Sequence, residues 1–190
     1  MRYFNLLLFA AVLGALQGCV PLVAATGVGV GALMGADRRT TGTYIEDEGI
    51  ELKAVNRVSE EYKSGAHVNV TSFNRRVLIT GEVQNEETKA GVAKMVAELP
   101  NVKAVSNELA VSGLSSISTR SSDSLITSDV KFRFLNNNKT FQPHHVKVVT
   151  ENGVVYLMGM VYHKEADAAA EIASTTGGVQ RVVKVFEYLD

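Results

Sequence analysis

A single cysteine, Cys19, is all the thiol this 190-residue chain carries, so no disulfide can form within it and that side chain needs another role. Tryptophan is absent and proline occurs only three times, which leaves no indole to anchor an interface or a membrane surface. Charge of one sign is missing as well: 19 basic residues stand against 20 acidic ones, net −1, without the polybasic signature of a nucleic-acid binder. No nucleic-acid partner is expected. There is no Gly-x-Ser-x-Gly elbow to expose a nucleophilic serine, and no Cys/His clustering at zinc spacing. His144 and His145 are adjacent and would point to opposite faces of a strand, while His67 and His163 stand alone in the chain. The acidic runs Glu46-Asp47-Glu48 and Glu86-Glu87 suit the positive ends of helices and need no catalytic explanation. The expectation is therefore a non-enzymatic protein with no cofactor, no metal and no small-molecule substrate.

What is present begins at the N-terminus. Arg2 is followed by an apolar stretch from Leu6 to Leu16 and by Leu16-Gln17-Gly18-Cys19, the pattern of a secretory signal closing on a lipobox-like cysteine. Residues 1–18 read as a signal peptide, Cys19 as the lipidated first residue of the mature chain, and residues 19–45 as a glycine-rich tether. A membrane-spanning helix over residues 4–36 fits less well. About 20 apolar residues cross a bilayer, and this run is longer and broken by Pro21 and repeated glycines. The glycines at 27, 29, 31 and 35 do not form a phosphate cradle, because a signal and anchor stand where the preceding strand of a nucleotide fold belongs. Position 20, after the cysteine, is Val rather than Asp, and resemblance to known sorting signals then favours the outer membrane, facing the periplasm.

An internal repeat organises the remainder. Val68-Asn69-Val70-Thr71 and Val77 to Val83 match Val146-Lys147-Val148-Val149 and Val155 to Val161 at a constant separation of 78, and the register continues at 77 from Val102/Val179 to Leu109/Phe186. Each copy reads as helix (Glu48 to Tyr62; Ser124 to Leu135), two alternating strands about a turn, helix (Glu86 to Leu99; Lys164 to Ser174) and a last strand (Lys103 to Val111; Arg181 to Leu189). Asn152-Gly153 predicts a two-residue hairpin, Phe73-Asn74-Arg75 a looser turn, and Asn85 a helix cap. The fold class is α/β (α+β): two tandem αββαβ domains, each a small mixed three-stranded sheet with two helices. Their expected limits are 46–112 and 124–190, with a serine-rich linker at 113–123.

This arrangement resembles the BON domain family, whose pattern is Val-x-Leu-x-Gly-x-Val, a helix, then Gly-Val-x-x-Val-x-Asn. The first copy carries Val77, Ile79, Gly81, Val83, Val102, Val105 and Asn107, with Asn101 in the glycine position; the second carries Val155, Leu157, Gly159, Val161, Gly178, Val179 and Val182, with Lys184 in the Asn position. The resemblance implies an envelope-maintaining protein whose BON domains bind phospholipid, the second domain touching the membrane through its first helix.

On that helix, Ile126, Val130 and Phe134 form the expected core stripe by their four-residue spacing. The candidate lipid-binding residues are Leu125, Ile126, Lys131, Phe132, Arg133 and Leu135, basic and apolar side chains interleaved as an anionic headgroup region favours. Charge partition agrees: residues 46–112 hold 8 basic and 11 acidic side chains, residues 124–190 hold 7 of each. The expected partner is an anionic phospholipid membrane; the alternative is an interaction scaffold that docks on envelope proteins or a cell-wall partner. The anchoring step is testable alone. Cys19→Ala should leave an unprocessed or soluble precursor, read by membrane fractionation and by incorporation of labelled palmitate, and a variant still acylated in the outer membrane would refute the assignment.

Overall fold

The computed structural model describes residues 37–62, 65–137 and 139–190. Cys19, the signal peptide and the tether up to Ala36 lie outside the described residues. The described chain runs α1 (Thr41–Tyr62), β1 (Ala66–Phe73), β2 (Arg76–Val83), α2 (Glu86–Ala97), β3 (Ala104–Asn107) and β4 (Ala110–Val111). It then repeats as α3 (Ile117–Asn137), a single 3-10 turn (Pro143–His145), β5 (Val146–Glu151), β6 (Val154–Val161), α4 (His163–Ser174) and β7 (Arg181–Tyr188). In each copy an antiparallel hairpin is extended by a parallel strand: β1-β2-β3, with β4 also on β2, and β5-β6-β7.

Both first helices start earlier than composition indicates, and the serines explain why. Ser116 Oγ accepts from Thr119 N at 3.2 Å, the bond of an N-cap. Ser121, Ser122, Ser124 and Ser128 donate their hydroxyls back to carbonyls four residues earlier. The serine-rich stretch read as a linker is thus helical from Ile117 on. Thr40 starts α1 in the same way, accepting from Thr43 N at 3.1 Å, so the end of the expected tether is helix too.

A buried aspartate on each first helix secures the hairpin beneath it. Asp47, 2% exposed, accepts from Asn74 N at 2.9 Å, Arg75 N at 2.7 Å and Ser72 Oγ at 2.7 Å. Asp123, 5% exposed, accepts from Asn152 N at 2.9 Å and Gly153 N at 2.8 Å. Both turns are two-residue loops with positive φ at both central positions: Asn74 (51°) and Arg75 (65°), Asn152 (49°) and Gly153 (73°). The first turn is therefore not looser than the second. Arg75 occupies a glycine-favouring conformation whose N–H the aspartate holds. Asn101 (φ 71°) and Gly178 (φ 83°) likewise share a left-handed position before the last strands.

The last strands differ. Asn107 donates to Lys89 O at 3.0 Å and accepts from Leu109 N at 3.3 Å, and the strand breaks into β3 and β4 at that point. Lys184, in the matching place, bonds Asp167 at 2.6 Å, and β7 runs unbroken.

Alternation decides which side of each sheet meets which partner. Val77, Ile79 and Val83 of β2 pack with Ile50, Ala54 and Val58 of α1 and with Val92 and Val96 of α2. Val155, Leu157 and Val161 of β6 pack with Val130 and Phe134 of α3 and Ala166, Ala169 and Ala173 of α4. The opposite sides, Phe73 and Leu78 in one copy and Tyr156 and Met158 in the other, are buried against each other. The two domains thus stack sheet on sheet, helices outermost. Polar contacts ring this seam, including Asn74 to Glu187 (2.7 Å) and Lys147 to Glu51 (2.8 Å). Arg38 and Arg39 add to it from the start of the described chain. Arg38 makes a two-pronged bond to Glu165 (2.7 and 2.8 Å), and Arg39 bonds Asp47 at 2.9 Å while stacking on Phe73.

Gly81 and Gly159 sit where the hairpin strands pass closest. A Cβ on Gly81 would stand 2.0 Å from His67 O, and one on Gly159 2.3 Å from His145 O. The obstruction is backbone, of β1 at His67 and of the turn just before β5 at His145, and not the following helix. Gly81→Val and Gly159→Val should each cost about 1–3 kcal/mol as overpacking does, and the first should be worse because Gly81 also needs φ of 117°. Thermal melts of both variants that match the parent would overturn this account of the repeat.

Candidate functional site

The candidate surface is the outward face of α3. Residues seven apart on a helix nearly eclipse each other, which sets Leu125 above Phe132, away from the core stripe of Val130 and Phe134. Leu125 (69% exposed), Phe132 (65%) and Leu135 (69%) are large apolar side chains left in water, with Ile117 exposed one helical end away. Lys131 is exposed beside them, as is Asp129. Three solvated apolar groups on one helical face are the kind of patch that marks an interaction site.

Two of the sequence candidates do not lie on this face. Ile126 is partly buried and packs on the core of its own domain. A Cβ on Gly178 would stand 3.1 Å from its Cδ1, so the glycine makes room for it. Arg133 turns toward the C-terminus of α4, donating to Ile172 O at 2.8 Å, Thr176 Oγ1 at 2.7 Å and Thr175 Oγ1 at 3.0 Å. A guanidinium there satisfies a terminal carbonyl and sits at the negative end of the helix. The outward face keeps one cation, Lys131, not two.

Sequence reasoning missed a second set of exposed groups on α1: Tyr44, Ile45, Leu52 and Val55. Ile45 and Leu52 repeat the seven-residue spacing of Leu125 and Phe132, a signal visible only once the helix is known to begin at Thr41. Where α1 and α3 approach, Tyr44, Phe73, Leu135 and Val146 line a groove of about 480 Å³ together with Arg39, Lys131 and Lys147. No helix among the described residues is long and apolar enough to cross a membrane.

Two αββαβ units, each with a glycine at the close crossing of its hairpin, define the class. The BON domain family matches residues 46–113 and 122–190, and the chain belongs to that family. Among its relatives is the outer membrane lipoprotein DolP of Haemophilus influenzae, 42% identical over 186 residues that cover 95% of each chain. A 21 kDa hemolysin of Actinobacillus pleuropneumoniae is 33% identical over 155 residues, 80% of this chain and 79% of the relative. Osmotically-inducible protein Y of Escherichia coli is 26% identical over 161 residues, 83% of this chain and 80% of the relative.

The division between Arg133 and Lys131 has a measurable consequence. Arg133→Ala should lower the unfolding free energy by about 1–3 kcal/mol, because carbonyl and hydroxyl partners of α4 lose their donor. Lys131→Ala should change it by less than about 0.5 kcal/mol. Urea unfolding checks both, and equal stabilities would contradict the assignment of Arg133 to the helix end.

Proposed function

We propose that this chain is an outer-membrane lipoprotein, held through Cys19, that lays the outward face of α3 on the phospholipid bilayer and supports envelope integrity. The observation that carries the reading is the solvated stripe of Leu125, Phe132 and Leu135 beside Lys131. Burying a Leu or Phe side chain contributes about 1.5–3 kcal/mol, whereas one Lys at an anionic surface contributes about 1 kcal/mol. Apolar insertion therefore outweighs headgroup attraction, and preference for anionic over zwitterionic lipid is modest. The name of the Haemophilus influenzae relative supports the location.

A second reading, a scaffold for envelope proteins, draws on Ile45, Leu52 and Val55, which give α1 an exposed apolar face of its own. Liposome flotation of residues 37–190, the compact unit without the anchor, separates the two. Leu125→Glu with Phe132→Glu should reduce partitioning at least tenfold. Lys131→Ala should reduce it about fivefold on anionic vesicles, following the contribution of one cation. Lys89→Ala with Lys94→Ala, on α2, should leave it unchanged. No flotation of the parent, or equal loss from the α2 and α3 variants, would sink the membrane reading.

A further inference from the structure

His67, Glu82 and Glu151 stand far apart in the chain, and His67 reads as isolated there. The fold brings them together. His67 on β1 is the cross-strand neighbour of Glu82 on β2, and Glu151, at the end of β5, arrives from the other domain. One ligand atom from each lies within 4.8 Å of the others. His67 Nδ1 is 3.0 Å from Glu82 Oε2 and 3.9 Å from Glu151 Oε1.

Both carboxylates are buried, Glu82 at 0% exposure and Glu151 at 7%. Among the described residues neither has a lysine or arginine within 4.0 Å; their one basic neighbour is the same imidazole. Burial alone would raise the Glu82 carboxyl, but hydrogen bonds from Ser115, His67 and Asn152 hold it below the ordinary carboxylate range. Arg120 lines the neighbouring cleft, yet its guanidinium is spent on Ser115, at 3.1 Å to Oγ and 3.2 Å to the carbonyl. Asn69 donates to Glu151 Oε2 at 2.8 Å. The other oxygen, Oε1, accepts no hydrogen bond among the described residues and faces His67. Glu82 already accepts four hydrogen bonds, so the open acceptor of the cluster is Glu151 Oε1.

We propose that His67, Glu82 and Glu151 form a divalent-cation site, suited to zinc, that clasps the two domains together at their seam. Zinc binds imidazole nitrogen and carboxylate oxygen at about 2.0–2.2 Å in a tetrahedron, which separates its ligands by roughly 3.4 Å. The two separations from the imidazole, 3.0 and 3.9 Å, bracket that spacing, and all three ligand atoms lie within 4.8 Å, so side-chain rotations close the site. His67 coordinates through Nδ1 in place of its bond to Glu82, the ring proton passing to Nε2, and Glu82 Oε1 remains held by Asn152 at 2.5 Å. Asn69 orients Glu151 through its bond to Oε2. A cleft of about 390 Å³, lined by His67, Asn69, Thr150 and Glu151, admits the ion from solvent and leaves water for the fourth position. The site is independent of the membrane face on α3.

The test uses the mature lipidated protein in detergent, stripped with EDTA and titrated with zinc chloride by calorimetry, with metal content measured after gel filtration. One zinc per chain is expected, with a melting temperature that rises as zinc is added. Glu151→Gln, which preserves shape, and His67→Gln should each abolish stoichiometric uptake while circular dichroism stays that of the parent. Asn69→Ala should weaken binding about tenfold or more, as loss of a ligand-orienting group does. Uptake should survive His144→Ala with His145→Ala. Zinc absorption spectra should show one imidazole among oxygen ligands. No retained zinc, or retention indifferent to Glu151→Gln and His67→Gln, overturns the proposal.

Discussion

Each domain depends on one carboxylate reaching from its first helix into the hairpin turn below. Asp47 and Asp123 accept from backbone N–H groups at the tip of the turn, where both residues adopt positive φ. Held there, the turn sets the strand register, and a slip of one residue would invert every side chain between core and seam. The same bonds locate the helix against the sheet, so that Ile50, Ala54 and Val58, or Val130 and Phe134, fall on the apolar side of β2 or β6. The first copy adds Arg39 to its aspartate, which also brings the start of the described chain into the core network.

Stacking sheet on sheet leaves only helices at the periphery. A unit of about 65 residues buries little of its own surface, and the seam of Phe73, Leu78, Tyr156 and Met158 adds a third apolar cluster to the two internal ones. Most of the large apolar side chains left exposed lie on α1 and α3. The two helices have diverged: with Asp47 matched to Asp123, Gly49 and Asn56 stand where α3 bears Leu125 and Phe132, and α1 exposes Ile45 and Leu52 instead.

The strands, the Asn152-Gly153 hairpin, both glycines and the core stripe of α3 were legible in the sequence, because alternation and a repeat at constant spacing report the same geometry twice. The helix starts were not. Serine composition reads as a linker, yet Ser116 caps α3 and the serines after it return their hydroxyls to the helix's own carbonyls. The turn at Asn74-Arg75 looked irregular because its tolerance of arginine comes from Asp47, 28 residues away. Arg133 read as a surface cation because nothing in its neighbourhood reveals that α4 ends beside it. His67 looked solitary for the same kind of reason: its partners lie on β2 and on a strand of the other domain.

The two arginines at the start of the described chain fasten to different domains, Arg38 to Glu165 of the second and Arg39 to Asp47 of the first. Were the chain held at its N-terminus, tension reaching Arg38 and Arg39 would be divided between the two domains at adjacent residues. Separating the second domain from the first by that tension would require breaking the two-pronged Arg38–Glu165 pair. Such a pull would load both domains together rather than the first alone.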